Sequence, residues 1–159
     1  IDALLRSETL VQLGDWHLIA GNGSRAFGHY ADAWKALDAL PEQRKWLQSP
    51  RLLFYRAPAT AASRLRPTDP TEYVAREVRF RVHVGRDGKV IEPAVESSDA
   101  PDATQKSAAF ALRRARYAPR LENGEPAETE GVPFLETLLV RIPKENPAPP
   151  APETPHPAR

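Results

Sequence analysis

The sequence predicts an α+β protein: an N-terminal α-hairpin followed by a β-β-α-β unit with a small antiparallel sheet. Two patterns carry this expectation. Val78, Phe80, Val82 and Val84 alternate with Arg79, Arg81 and His83, the period of two that a strand needs when one face is buried and the other wet. Upstream, Ala26, Tyr30, Ala33, Leu37 and Leu40 step by four, three, four and three, which draws one apolar stripe along a helix.

In chain order, Asp2 to Ala20 is expected to be helical, with apolar residues at Leu4, Leu5, Leu10, Val11, Leu13 and Leu18. Gly21-Asn22-Gly23 breaks it, and Ser24 is the expected N-cap of the second helix. Small residues at Ala26 and Ala33, and Gly14 opposite, let the two helices approach closely. Pro41 to Leu47 forms a short helical connector carrying Trp46. Arg51 to Arg56, "RLLFYR", is strand-like. The Pro-containing stretch from Ala57 to Pro70 is a semi-rigid linker.

The central hairpin follows. Asp87-Gly88 suits a type I′ turn, which would pair Val84 with Ile91, Val82 with Pro93 and Phe80 with Val95. Either Val90 or Ile91 faces the core, and turn length alone does not choose between them. Pro93 lacks an N–H for a ladder, so its strand has an edge or a bulge there. Asp102 is the expected N-cap of a helix over Ala103 to Arg116, which turns Ala108, Leu112 and Ala115 onto the hairpin. Arg113, Arg114 and Arg116 fall in its last turn, where cations suit the helix dipole. Glu122-Asn123-Gly124-Glu125 is a turn, and Glu130 to Ile142 is the third strand. Its more apolar set, Phe134, Glu136, Leu138, Val140 and Ile142, is placed inward.

We therefore divide the chain into a helical hairpin and connector over 1–48, a linker with a strand-like run over 49–76, the β-β-α-β unit over 77–142 and a Pro-rich tail over 143–159. The tail holds seven of the chain's 17 prolines and almost no apolar side chain, so an extended conformation is expected.

Composition narrows the function. With 22 Lys and Arg against 21 Asp and Glu, the net charge of +1 gives no electrostatic case for nucleic acid or an anionic membrane. No cysteine is present, which excludes disulfides and thiolate metal sites. His17, His29, His83 and His156 have no ligand spacing, and no nucleophile elbow or phosphate-binding glycine loop occurs. We expect a non-enzymatic protein with no catalytic residue, no metal site and no cofactor. The chain opens on Ile1 and contains no methionine, which reads as a processed or trimmed product. Membrane association is then expected only through a lost anchor or through a partner.

Two resemblances add to this. Leu13, Gly14, Ala26, Tyr30 and Ala33 fall at the spacings of a tetratricopeptide repeat, with Leu10 where the family usually has Trp and His17 where it has Tyr. A generic helical hairpin is the other reading. One repeat cannot bury a solenoid core, so either more repeats lie upstream or this hairpin packs on the next domain.

The second resemblance covers Glu77 to Ile142. "VRFRVHVGRDGKVIEPAVESS", "AAFALRRARYAPRLENGEPAE" and "GVPFLETLLV", in that order, resemble the TonB C-terminal domain family. Asp87-Gly88, Ser97-Ser98, Tyr117 with Pro119, and Asn123-Gly124 stand at its turns and strand ends. The resemblance implies a periplasmic, cell-envelope domain of a TonB-like energy transducer serving transport. Its relatives receive an extended N-terminal segment of an outer-membrane receptor as an added strand. Here that acceptor would be the last strand, with Leu135, Thr137, Leu139 and Arg141 as partner-binding residues. Arg79 and Arg81, a basic stripe on the open face, complete the candidate set. The alternative is an envelope accessory or scaffold subunit that uses the same domain without energy coupling. Where relatives place a membrane helix and a Pro-rich stretch, this sequence has the tetratricopeptide-like hairpin, and its Pro-rich stretch follows the domain instead.

Overall fold

The computed structural model describes residues 2–58 and 73–142. Most of the linker expected over 57–70 and the tail expected over 143–159 lie outside the described residues. Helices α1 (Ala3–Ile19) and α2 (Gly23–Ala36) form an antiparallel pair, followed by the one-turn α3 (Pro41–Arg44) and a 3₁₀ turn, Lys45–Gln48. Then come β1 (Arg51–Phe54), β2 (Tyr73–Val84), β3 (Val90–Ser98), α4 (Asp102–Leu112), three short strands β4 (Arg116–Ala118), β5 (Arg120–Glu122) and β6 (Glu125–Ala127), and the long β7 (Thr129–Arg141). The α+β class expected from the sequence is the observed one.

The principal sheet has the order β3-β2-β7 and is antiparallel throughout. Central β2 turns Val78, Phe80, Val82 and Val84 inward, each buried to 1% exposure or less. Ala108 and Leu112 of α4 cover that row, joined by Ala115 just beyond the helix. Full burial of a side chain the size of Phe80 contributes about 2–3 kcal/mol, so this row is the principal apolar contribution of the domain.

The turn between β2 and β3 is tighter in conformation and longer in residues than Asp87-Gly88 alone suggests. Gly88 N–H donates to Gly85 O at 2.9 Å, and Gly85 N–H donates to Lys89 O at 2.9 Å. Of the two expected turn residues only Gly88 has a positive φ, 76°. The turn is therefore not type I′. The added residue shifts the register at His83/Val84, so Val84 pairs with Val90 and not with Ile91. Val90 is buried and Ile91 is 55% exposed. The pairs Val82↔Pro93 and Phe80↔Val95 are as expected. Pro93 lies on an edge strand, where a missing donor is tolerated.

Other boundaries also differ. Asn22, not Ser24, stands at the α2 N-cap, and it makes no side-chain capping bond. Pro101 is the cap of α4 and Asp102 its first residue, so the Asp102 carboxylate lies in the first turn, where it suits the positive end of the helix dipole. The same helix stops at Leu112, so Arg113 and Arg114 follow it and Arg116 opens β4. Only β1 of the "RLLFYR" run is a strand, and it pairs with β4 rather than with the principal sheet. Ile142 falls beyond β7 and is 45% exposed.

The helix pair does not stand alone. Val11, Leu18, Ala26, Tyr30, Ala33 and Leu37 share a second core with Leu47, and with Ala118 and Leu121 of β4 and β5. A polar clasp reinforces it: Asp15 accepts from the Tyr30 hydroxyl at 2.7 Å and from both terminal nitrogens of Arg51 at 2.8 and 3.1 Å. Arg51 in turn lies 5.2 Å from the Trp46 ring centroid. Burial, then Asp15, holds the Tyr30 phenol far above its ordinary range. At the far end, Asn123 and Gly124 carry φ of 54° and 83°, the paired positive angles of a type I′ turn. Trp34 of α2 packs over Gly124. The helix pair thus packs on β4 and β5, as one of the two expected fates of a single helical hairpin requires.

Two tests follow from this packing. A Cβ at Gly14 would lie 2.4 Å from Cε1 of the fully buried Tyr30, whereas one at Gly28 meets nothing within 4 Å. Helix propensity favours alanine at both sites by about 1 kcal/mol. We expect Gly28→Ala to stabilise the chain by up to that amount in urea unfolding. Gly14→Ala, which overpacks a closed interface, should destabilise it by about 1–2 kcal/mol. Equal signs would refute the close approach.

Asp99 supplies the second test. Its carboxylate accepts from the Glu77 N–H at 2.7 Å and from Arg76 at 3.2 Å, tying the end of β3 to β2. The Glu77 N–H first, and then Arg76, hold its pKa below the ordinary 3.8. A depressed folded-state pKa contributes stability that is present above the unfolded value and is lost as pH falls through the folded one. Asp99→Asn should therefore be less stable than wild type at neutral pH, with the gap closing below pH 3.8. The gap is small and salt-sensitive because the pair is exposed. Thermal melts at pH 7 and pH 3 measure it, and a gap that widened in acid would overturn the assignment.

Candidate functional site

β7 is the last strand of the sheet, hydrogen-bonded to β2 on one side and to no described strand on the other. Its register with β2 runs without interruption from Tyr73↔Arg141 to Val82↔Val132. Val132, Phe134, Glu136, Leu138 and Val140 face inward and are at least half-buried; Leu135, Thr137, Leu139 and Arg141 face out and are exposed. Phe134 is fixed by Tyr55, whose ring meets it edge-on at 4.9 Å. Burial, and then the neighbouring Glu136 charge, keep the Tyr55 hydroxyl in its neutral form well above the usual phenol range.

Pairing also places the other candidate residues. Arg79 sits opposite Leu135 and Arg81 opposite Pro133, while Glu77 faces Thr137 and Ala75 faces Leu139. Leu135, Thr137, Leu139, Arg141, Arg79 and Arg81 thus share the outer face of the sheet. The two arginines are not a free basic stripe, however. Arg79 pairs with Glu77 at 3.2 Å, and Arg81 pairs with Glu96 at 2.9 Å while also donating to Gly131 O at 3.3 Å. Leu135 and Leu139, each about half exposed, are left as the apolar part of that face.

The two edges of the sheet differ. β3 carries Pro93, the charges of Glu92 and Glu96, and two irregularities in its pairing with β2, at Arg79/Phe80 and His83/Val84. Such features blunt an edge against further pairing. From Phe134 to Arg141 β7 has none of the backbone features: no proline and no shift in register. Beside its first half lies a groove of about 540 Å³ lined by Leu52, Tyr117, Val132, Phe134 and Leu135. Its wall from β1 was not legible from the spacing of residues, because Leu52 comes from a strand in a separate two-stranded sheet.

Among the described residues no group of three or more His, Asp or Glu is placed to hold a metal ion. His83 is engaged by Glu128. His17 and His29, which the sequence leaves as separate helix positions, stack at 5.3 Å between ring centroids and pack the helix pair. No described helix is long and apolar enough to cross a membrane.

No curated protein matches the chain. Residues 77–135, which run from within β2 through β3 and α4 into β7, match the family model of the Gram-negative bacterial TonB protein C-terminal, a family of non-catalytic protein-interaction domains of the Gram-negative envelope.

Proposed function

We propose that this protein is a non-enzymatic, periplasmic interaction module that takes an extended segment of an outer-membrane receptor as an added strand on the free edge of β7. The observation that carries the reading is the uninterrupted, proline-free edge from Phe134 to Arg141, set against the blunted edge of β3. Strand addition draws affinity from main-chain hydrogen bonds and selectivity from alternate side chains. On β7 those alternate side chains are Leu135, Thr137, Leu139 and Arg141. The groove beside Val132 and Phe134 has room for side chains of the incoming strand. Arg79 and Arg81, already ion-paired, contribute to register and solubility more than to net charge.

A second reading has its own support. α1 buries Ser7, Val11, Gly14 and Leu18 toward α2, yet leaves Leu5, Trp16 and Ile19 at least half exposed on its opposite side. An apolar face of that kind marks a contact surface. It suits a fixed envelope scaffold subunit, in which the tetratricopeptide-like hairpin continues a helical stack.

A photo-crosslinking amino acid placed at Thr137 or Leu139 of the full chain, in native Gram-negative envelopes, separates the two. Strand addition predicts adducts with the N-terminal segment of an outer-membrane β-barrel, and none from the same probe at Ala94 on β3. Adducts from Ala94 alone would refute the edge assignment. Recovery of one stoichiometric envelope complex, with crosslinks from Trp16 and none from Thr137, would replace it with the scaffold reading.

A further inference from the structure

On the side of the molecule formed by α4 and the end of β1 lies a cleft of about 640 Å³. Phe54 and Phe110 wall it, and Arg56, Arg113, Arg114 and Arg116 surround them. Among the described residues, none that lines the cleft is acidic. The early stop of α4 at Leu112 builds it, since Arg113 and Arg114 leave the helix and are brought beside Arg56, which follows β1. Phe110 is 61% and Phe54 48% exposed, a high value for two phenyl rings in one place. Arg114 stands 5.9 Å from the Phe110 ring centroid, and Arg116 donates to its neighbour Ala115 O at 2.9 Å.

The contrast with the sheet is informative. There Arg76, Arg79 and Arg81 each have a carboxylate partner. Among the described residues, Arg56, Arg113, Arg114 and Arg116 have none. Four guanidinium groups within one concave, aromatic-walled surface repel one another and gain most from an anionic occupant. The phenyl rings require an apolar group beside those anions. β1 pairs only with β4, so the strand leading into the cleft keeps an unpaired edge among the described residues. A peptide main chain can use that edge; a phosphate backbone cannot.

We propose that this cleft binds an acidic peptide segment, two or more carboxylates flanking one large apolar side chain. The carboxylates take the arginine forks, and the apolar side chain enters between Phe54 and Phe110. This site is separate from the β7 edge and does not rest on strand addition there.

Fluorescence anisotropy on the full chain tests the proposal, with a labelled Asp/Glu-rich peptide carrying one central Phe as the probe. Saturable binding that weakens with salt is expected. Arg113→Glu with Arg114→Glu should reduce affinity at least about tenfold, and Phe110→Ser by several-fold. Ala94→Ser, on β3, should leave it unchanged. All these side chains are exposed, and far-UV circular dichroism with a thermal melt checks each fold; Arg114→Gln serves where the double reversal does not fold. No saturable binding, binding indifferent to the arginine and phenylalanine changes, or equal loss with Ala94→Ser overturns the site. Tighter capture of a single-stranded oligonucleotide or of anionic phospholipid vesicles, lost with the same arginine variants, would overturn the peptide assignment.

Discussion

Everything in this structure turns on the point where Gly88 meets Tyr117. The carbonyl of Gly88 accepts the Tyr117 N–H at 2.9 Å, and a Cβ at Gly88 would fall 2.1 Å from the Tyr117 oxygen. Leu18 of α1 approaches the same spot. The left-handed backbone and the lack of room both demand glycine there. Three elements therefore converge on one residue: the turn of the central hairpin, the strand β4, and the first helix. The Lys89↔Arg116 bridge extends that contact by one pair. An Asp-Gly turn in an isolated hairpin needs glycine for its φ alone; here it also needs glycine for the neighbour.

That contact joins two cores, neither of which is self-sufficient. A three-stranded sheet under one helix leaves β4 and β5 with apolar residues, Ala118 and Leu121, that must be covered. A single helix pair likewise has one face to bury and no repeat in the described residues to receive it. Each solves the other's problem, and the Asp15–Tyr30–Arg51 clasp adds direction to a contact that burial alone would leave free to slide. β1 follows from this arrangement. It leaves the helical connector beside β4, pairs there, and delivers Tyr55 to the inner face of β7.

The hairpin and its covering helix were legible in the sequence because alternation and the 108–112–115 spacing are both local signals of buried faces. So was the inward set of β7 as far as Val140. What local pattern does not contain is tertiary pairing. The three short strands β4, β5 and β6 are too brief to show a period, and β1 pairs with a residue stretch more than sixty positions away. The Val84↔Val90 register was hidden because it depends on how many residues the turn consumes, which Gly85 and Lys89 decide together. The candidate residues of β7 were gathered by the family resemblance together with alternation along the strand; the cleft around Arg56 was not, because the separation of Arg56 from Arg113 in sequence carries no spacing to recognise.

The same arithmetic of pairing assigns different chemistries to the two surfaces. On the sheet, Glu77 and Glu96 already answer Arg79 and Arg81, so the proposed incoming strand would find little net charge and would be selected by backbone geometry and by apolar contacts such as Leu135 and Leu139. At the α4 cleft no carboxylate among the described residues answers the arginines, so charge leads and geometry follows. The first proposed mode would tolerate salt and require an extended segment. The second would weaken with salt and require carboxylates flanking an apolar side chain. A near-neutral protein can hold both because its charges balance over the whole molecule and not within each surface.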